Sequence, residues 1–220
     1  MTGFVQPFWK PVHWTSFDVV RKVRHVAQVK KVGHTGTLDP FADGVLLVCF
    51  GSATKRVAQL MELEKEYLAH LKLGRTTDTL DPTGTITETA PVPDLSRSDI
   101  LEAVDRFTGE IEQVPPMFSA LKVNGRRLYQ LAREGRTVPR QPRTVTVYGI
   151  DLVAWRPPDE LVIRVTCGRG TYIRVLGSDL ARALDTVGYL SALTRTRVGQ
   201  YGVREAIKMD QLDSWIPTAA

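Results

Sequence analysis

A chain of 220 residues with 43% hydrophobic content can bury one sizeable core. Its mixed helix and strand signals exclude an all-α or all-β class. A net charge of +5 and a pI of about 9.3 suit a polyanionic partner. No apolar stretch reaches transmembrane length, and the opening MTGFVQPFWKP lacks the apolar core of a signal peptide, so a soluble cytoplasmic chain is expected.

In chain order, Thr15 is placed to cap a helix running to about Val29, with Val19, Val20, Val23 and Val26 on one stripe. A glycine-punctuated loop follows, Gly33-His34-Thr35-Gly36-Thr37-Leu38-Asp39-Pro40. The apolar run 45–50 reads as a buried strand, 54–62 as a helix, and the alternation of Tyr67, Ala69, Leu71 and Leu73 as a half-buried strand. TTDTLDPTG is a turn-rich connection, and Ser98 or Ser96 caps a helix to Phe107. Two strands, about 144–155 and 160–167, form a hairpin through Arg156-Pro157-Pro158-Asp159. Thr171 opens a helix to about Leu184; a strand near 193–201 and a short helix near 209–215 complete the pattern. This order predicts an α+β fold on a mixed, largely antiparallel central sheet flanked by helices. With no repeat, low-complexity segment or linker, 1–220 reads as a single domain.

Charge is segregated along the chain. Residues 78–112 carry nine acids against two bases, whereas 121–143 carry seven bases (Lys122, Arg126, Arg127, Arg133, Arg136, Arg140, Arg143) against Glu134 alone. That division predicts one surface for phosphates and another for solvent. Cys49 and Cys167 lie in apolar runs and read as buried thiols. His13, His25, His34 and His70 have no ligand spacing with them, so no metal is expected.

Asp39 is the candidate chemical group. An isolated Asp-Pro is usually a turn or cap, but this one shares its loop with two glycines, a histidine and two threonines, a setting that can hold a carboxylate and an imidazole against a ligand. The loop has no GxxxxGK[ST] pattern, so it is not a phosphate-binding P-loop. Arg174, in CGRGTYIR, and Tyr67, in Lys65-Glu66-Tyr67, would each alone read as a surface arginine and a core tyrosine; Leu193 is less informative still.

Six motifs taken together carry more. GHTGTLDP (33–40), Lys65-Glu66-Tyr67, LGRTTDTLDPTG (73–84), PPMFSALKVNGRRLYQLAREG (115–135), CGRGTYIR (167–174) and Leu193-Thr194-Arg195 occur in the order of the bacterial tRNA pseudouridine-55 synthase (TruB-like) family, which the chain resembles from about Lys10 to Gly199. The resemblance implies a pseudouridine-synthase-like domain acting on the T-arm of tRNA. It makes Asp39 the catalytic aspartate, Arg174 its ion-pair partner and Tyr67 the stacking partner of the target base. Leu193 packs near that base, and His34 takes the space the flipped base leaves. Thr37 is carried over as a substrate contact of the same loop. Lys122, Arg126 and Arg127 contact RNA from a basic insertion at about 113–145.

The chemistry is consistent with those groups. Isomerising uridine breaks N1–C1′, turns the uracil and forms C5–C1′; all atoms are kept, so no cofactor is expected. An ionised carboxylate in a closed pocket is needed, and a neighbouring arginine offsets the cost of burying it. Flipping the base costs a few kcal/mol, and stacking on an aromatic returns about 1–3 kcal/mol. Attack at C1′, addition to C6 and proton abstraction from C2′ all remain open to Asp39.

The chain departs from the family pattern at His13, where a glycine is usual, and at Phe41 and Asp43, where Leu and Thr are common. A full C-terminal PUA-type domain is not expected within 220 residues. The leading expectation is a monomeric enzyme needing no protein partner and no membrane. Its alternatives are the catalytic subunit of a guide-RNA-directed particle and a non-catalytic tRNA-binding or folding protein.

Overall fold

The computed structural model describes residues 3–123 and 125–215. Its first element, β1 (Val5–Lys10), has no counterpart in the expected pattern because Pro7 interrupts the run. The proline is tolerated because β1 is an edge strand, antiparallel to β3 with Pro7 opposite Leu47. Helix α1 (Ser16–Ala27) is capped by Thr15, whose hydroxyl accepts from the Asp18 N–H at 3.1 Å while the Asp18 carboxylate accepts the Thr15 N–H at 3.0 Å. The helix stops two residues before the expected Val29, where Gln28 turns left-handed at φ 53°. Next come β2 (Val32–His34) and β3 (Asp43–Phe50). The helix expected over 54–62 is instead a 3-10 stretch, Gly51–Arg56, leading into a single α-turn, α2 (Val57–Met61).

β4 (Lys65–Leu73) alternates buried and half-buried along its length, as its sequence predicts. A ribbon of β5 (Arg75–Thr77) and β6 (Ile86–Thr89) flanks the TTDTLDPTG turn. Of the two candidate caps, Ser96 is the one used for α3 (Arg97–Asp105), in a capping box with Asp99. β7 (Gly109–Gln113) pairs antiparallel with β10 (Arg143–Arg156). The basic segment leaves the sheet at Gln113 and rejoins it at Arg143; it holds β8 (Lys122–Val123), β9 (Arg126–Arg127) and α4 (Leu128–Arg133). β11 (Glu160–Cys167) completes the expected hairpin with β10. α5 (Ile173–Ala183) begins after Tyr172 rather than at Thr171, because the Gln113 side chain accepts the Tyr172 N–H at 3.0 Å and fixes the turn there. β12 (Gly188–Val198) starts five residues before the expected 193, and β13 (Tyr201–Gly202) folds back on it. Gly188 allows close packing: a Cβ there would lie 2.7 Å from that of Ala181. The helix expected at 209–215 is a 3-10 turn, Met209–Gln211, after which Leu212 and Trp215 are drawn into the core.

Contacts divide the chain into two compact units, with β4, β11 and β12 each passing from one into the other. The first comprises 1–68, 166–169 and 193–220. Its sheet runs β1-β3-β12, with β12 parallel to β3 and β2 antiparallel to β3. β3 is covered on both faces: Leu46, Val48 and Phe50 pack with Phe8 and the α1 stripe Val19 and Val23, and Val45 and Leu47 with Val198. The second unit comprises 69–165 and 170–192, and its strands run β4-β11-β10-β7. The fold is therefore α+β on a mixed, largely antiparallel sheet. Among the described residues, no helix is long and apolar enough to cross a membrane.

Candidate active site

In the first unit, the loop joining β2 to β3 carries Asp39, and bonds to flanking residues hold it. Leu38 donates its N–H to Ser16 Oγ at 2.9 Å, and that hydroxyl lies 3.3 Å from the Leu38 carbonyl. On the other side, His13 donates its N–H to the Pro40 carbonyl at 2.6 Å, and the Ala42 N–H reaches the Asp39 carbonyl at 3.1 Å. Leu38, Phe41 and Ala42 are buried while Asp39 is half-buried, so apolar anchors on either side hold the carboxylate in place. Gly36 has φ +99° with open space at its Cβ position: the loop needs a glycine there for its backbone, not for room. Thr37 is exposed in the same loop.

The same unit holds three buried cations, Lys10, Lys65 and Arg195. Lys10 is fully buried and donates Nζ to the Pro11 and Trp14 carbonyls at 2.8 and 2.7 Å. Burial lowers its pKa to about 8, against the opposing pull of Asp43 and Asp39. Lys65 is likewise lowered to about 8 by burial, and then by Arg195; its Nζ donates to the Met61 carbonyl. Arg195 is 1% exposed and donates Nε to the Val45 carbonyl at 2.7 Å, with a weaker reach of 3.5 Å to the Gly36 carbonyl. A Cβ at Gly44 would lie 2.3 Å from the Arg195 carbonyl, and Gly44 also has φ +117°; no other residue fits there.

Tyr67, 9% exposed, stands two residues beyond Lys65 on β4. Burial raises its phenol pKa, while the Arg195 guanidinium opposes that rise by its charge and by a hydrogen bond. Leu193 is buried in β12, two residues before Arg195. His34 is half-buried at the end of β2; burial lowers its pKa, a backbone bond at Gly36 raises it, and Arg195 lowers it further. The ring is thus held toward its neutral form. Asp43, one of the departures from the family pattern, accepts the Thr194 hydroxyl at 2.6 Å and lends charge to Lys10. The His13 departure also has a backbone consequence, since His13 has φ +66°, a conformation that favours glycine.

In the second unit, Arg174 is 3% exposed in the first turn of α5. It donates to the Thr79 carbonyl at 2.7 Å and to the Phe118 carbonyl at 2.8 Å, and lies 3.5 Å from an Asp81 carboxylate oxygen. Asp81 is itself buried and accepts from the Thr79 hydroxyl, the Thr83 N–H and the Thr83 hydroxyl. Sequence reasoning did not single out Asp81. The available signal was a second Asp-Pro inside a threonine-rich turn, where hydroxyls can saturate a carboxylate.

The basic segment, also in the second unit, behaves differently. Lys122, Arg126 and Arg127 are exposed, on the paired strands β8 and β9. Arg126 is ion-paired with Glu134, while Arg127 and Arg133 sit over the Tyr129 ring at 5.9 and 5.6 Å. The one acid of the segment faces two arginines, with the hydrogen-bonded contact to Arg126 and a longer one of 3.9 Å to Arg136. Among the described residues, no group of three His, Cys, Asp or Glu side chains could hold a metal ion.

Residues 24–173 match the family model described as "TruB family pseudouridylate synthase (N terminal domain)". The chain is 50% identical over 205 residues to a tRNA pseudouridine synthase B of Clostridium kluyveri, covering 93% of this chain and 70% of that one. It is 44% identical to a tRNA pseudouridine synthase B of Phocaeicola vulgatus, covering 97% and 93%. Among solved structures, a Cbf5-Nop10-Gar1 complex superposes with TM-score 0.74 at 31% identity, over 95% of this chain and 53% of that one. The chain thus spans about 70% of the first of these relatives and about half of that solved chain. With the family model matched over residues 24–173 and relatives at 44–50% identity aligned over more than nine-tenths of this chain, the chain belongs to the TruB family of pseudouridylate synthases.

Proposed function

We propose that this chain isomerises uridine to pseudouridine at position 55 in the T-loop of tRNA, with Asp39 as the carboxylate that does the chemistry. The observation that carries the reading is the Asp39 loop itself. A half-buried carboxylate is fixed by hydrogen bonds at the residues on both sides of it, in a unit that also holds Tyr67, Leu193, His34 and the buried cations Lys10, Lys65 and Arg195. A preorganised carboxylate does not have to be ordered again when the substrate arrives.

In this reading the uridine leaves its stack and comes to lie against Asp39. Tyr67 stacks on the uracil, Leu193 packs against it, and neutral His34 occupies the gap left in the RNA. Arg174 pairs with Asp39 and keeps it ionised. Thr37 contacts the RNA from the same loop as Asp39, and Lys122, Arg126 and Arg127 contact phosphates without reading sequence. Residues 1–220 act as one catalytic domain, with about 113–145 as its RNA-contacting insertion, and work as a cytoplasmic monomer on tRNA without a protein partner or cofactor.

The likeness to the Cbf5 complex supports a second reading, the catalytic subunit of a guide-RNA-directed particle. The identity of 50% to a tRNA pseudouridine synthase B against 31% to that chain favours the first. Incubating the purified chain alone with unmodified tRNA transcript, then mapping pseudouridine at nucleotide resolution, decides between them. Conversion at position 55 is expected. Conversion only when a guide RNA and partner proteins are added supports the second reading, and no conversion under either condition contradicts both.

A further inference from the structure

The outer face of α1 was not among the surfaces the sequence motifs pointed to, and the function proposed above does not use it. Residues 21–31 contain Arg21, Lys22, Arg24, Lys30 and Lys31 and no acid. An open depression of about 500 Å³ lies along the first half of the helix, lined by His13, Trp14, Asp18, Arg21, Lys22 and His25. A second, of about 370 Å³, lies at its far end and is lined by Arg24, Gln28, Val29 and Lys30. Phe17, 61% exposed, stands one helical turn before Arg21 and two before His25. A single exposed aromatic is ordinary. An aromatic platform in line with cations and beside a depression is the arrangement that receives nucleotides, with the ring stacking on a base and the cations meeting phosphates.

The only acid at this depression is already engaged. Asp18 closes the capping box with Thr15 and pairs with Arg21 at 2.9 Å, so it does not neutralise Lys22. The location is the second, independent argument. His13, which lines the depression, donates its backbone N–H to the carbonyl of Pro40, the residue after Asp39, and Ser16 at the start of the helix holds Leu38, the residue before it. An RNA strand that delivers a nucleotide to Asp39 continues on either side of that nucleotide, and the α1 face adjoins the loop that receives it.

We infer that the outer face of α1 is a docking site for the RNA backbone flanking the target nucleotide, with Lys22 and Arg24 meeting phosphates and Phe17 meeting a base. The inference rests on the RNA-modifying function proposed above. It makes the chain's RNA-binding surface include a patch in the same unit as Asp39, besides the segment from Lys122 to Arg143.

The test uses the full chain and an unmodified T-arm hairpin. Binding is measured across a salt series in an Asp39→Asn background, and steady-state kinetics in the wild-type background. The double variant Lys22→Gln/Arg24→Gln should lower the slope of log affinity against log salt by about 0.7–0.9 per lost phosphate contact. It should raise KM and leave kcat at saturating RNA unchanged. Phe17→Ala should weaken binding roughly five- to a hundredfold with the slope unchanged. Lys208→Gln, an exposed base elsewhere, is the control and should change neither quantity. All the replaced side chains are exposed, so the variants are expected to fold. An unchanged slope and KM in the double variant overturn the inference, and so does an equal loss in the Lys208 control; the α1 cations would then serve another partner or general charge. Absence of pseudouridine with the wild-type chain strikes the proposed function instead, whatever the salt slopes.

Discussion

The Asp39 loop and the basic segment from Lys122 to Arg143 use charge in opposite ways. In the unit that carries Asp39, the cations Lys10, Lys65 and Arg195 are all buried, and each donates to a backbone carbonyl. In the basic segment, Lys122, Arg126 and Arg127 are exposed, and their partners are a glutamate on the surface and an aromatic ring. Buried charges are expensive and hold geometry, so altering one should cost folding and catalysis together. Exposed charges are cheap and attract a polyanion from solution, so altering one should change affinity and its salt dependence while the fold survives.

The largest break should come at Arg174, which follows the buried rule in the second unit. Arg174→Ala leaves the Asp81 carboxylate buried without its 3.5 Å partner, at a cost of roughly 3–5 kcal/mol in urea denaturation, and activity should fall with it. Arg174→Lys should stay impaired, since an ammonium cannot replace the planar donors that reach both Thr79 and Phe118. A lysine variant of wild-type stability and rate would show that this buried arginine obeys the surface rule.

Lys65 gives a smaller effect with a definite sign. Its folded pKa is about 8 against 10.5 for the free side chain, so below pH 8 both states are protonated and the folded state carries the full cost of burying the charge. Between pH 8 and 10.5 the unfolded chain binds more protons than the folded one, and stability attributable to Lys65 rises with pH. Denaturation of the wild type and Lys65→Met at pH 7.5 and 9.5 should show the wild type gaining about 2 kcal/mol relative to the variant. A parallel pair of profiles would mean that Lys65 keeps its charge in the folded protein as readily as in the unfolded chain.

Much of this contrast could be read before the structure. The alternation in β4, the Thr15 cap, the β10–β11 hairpin and the segregation of seven bases in 121–143 are local signals with local causes. The exceptions have tertiary causes. β1 contains Pro7 and becomes a strand only because β3 lies on one side of it. The start of α5 is set by Gln113, fifty-nine residues away, and the start of β12 by close packing at Gly188. Asp39, Tyr67 and Leu193 were identified from motifs. The roles of Lys10 and Asp81 depend on burial, which sequence spacing does not reveal, and the basic face of α1 was hidden inside an amphipathic pattern that explained its other face.

The smallest effects belong to the exposed segment and can rank its residues. Arg126 is held by Glu134, whereas Lys122 is not, so Lys122→Gln should lower the salt slope of tRNA binding more than Arg126→Gln does. Stability should change by no more than about 0.5 kcal/mol in any of them. Equal slopes for the two variants would mean that the Arg126–Glu134 pair opens when RNA binds.

The central claim is that Asp39 performs the chemistry and its loop is built to hold it. Asp39→Asn keeps the size of the side chain and removes its charge. Single-turnover mapping of position 55 in tRNA transcript, with binding measured on the same preparation, tests this directly. The account predicts no detectable pseudouridine from the variant and affinity within about threefold of wild type, a difference of roughly 0.7 kcal/mol. Conversion at position 55 by the asparagine variant at a rate near that of wild type would contradict it.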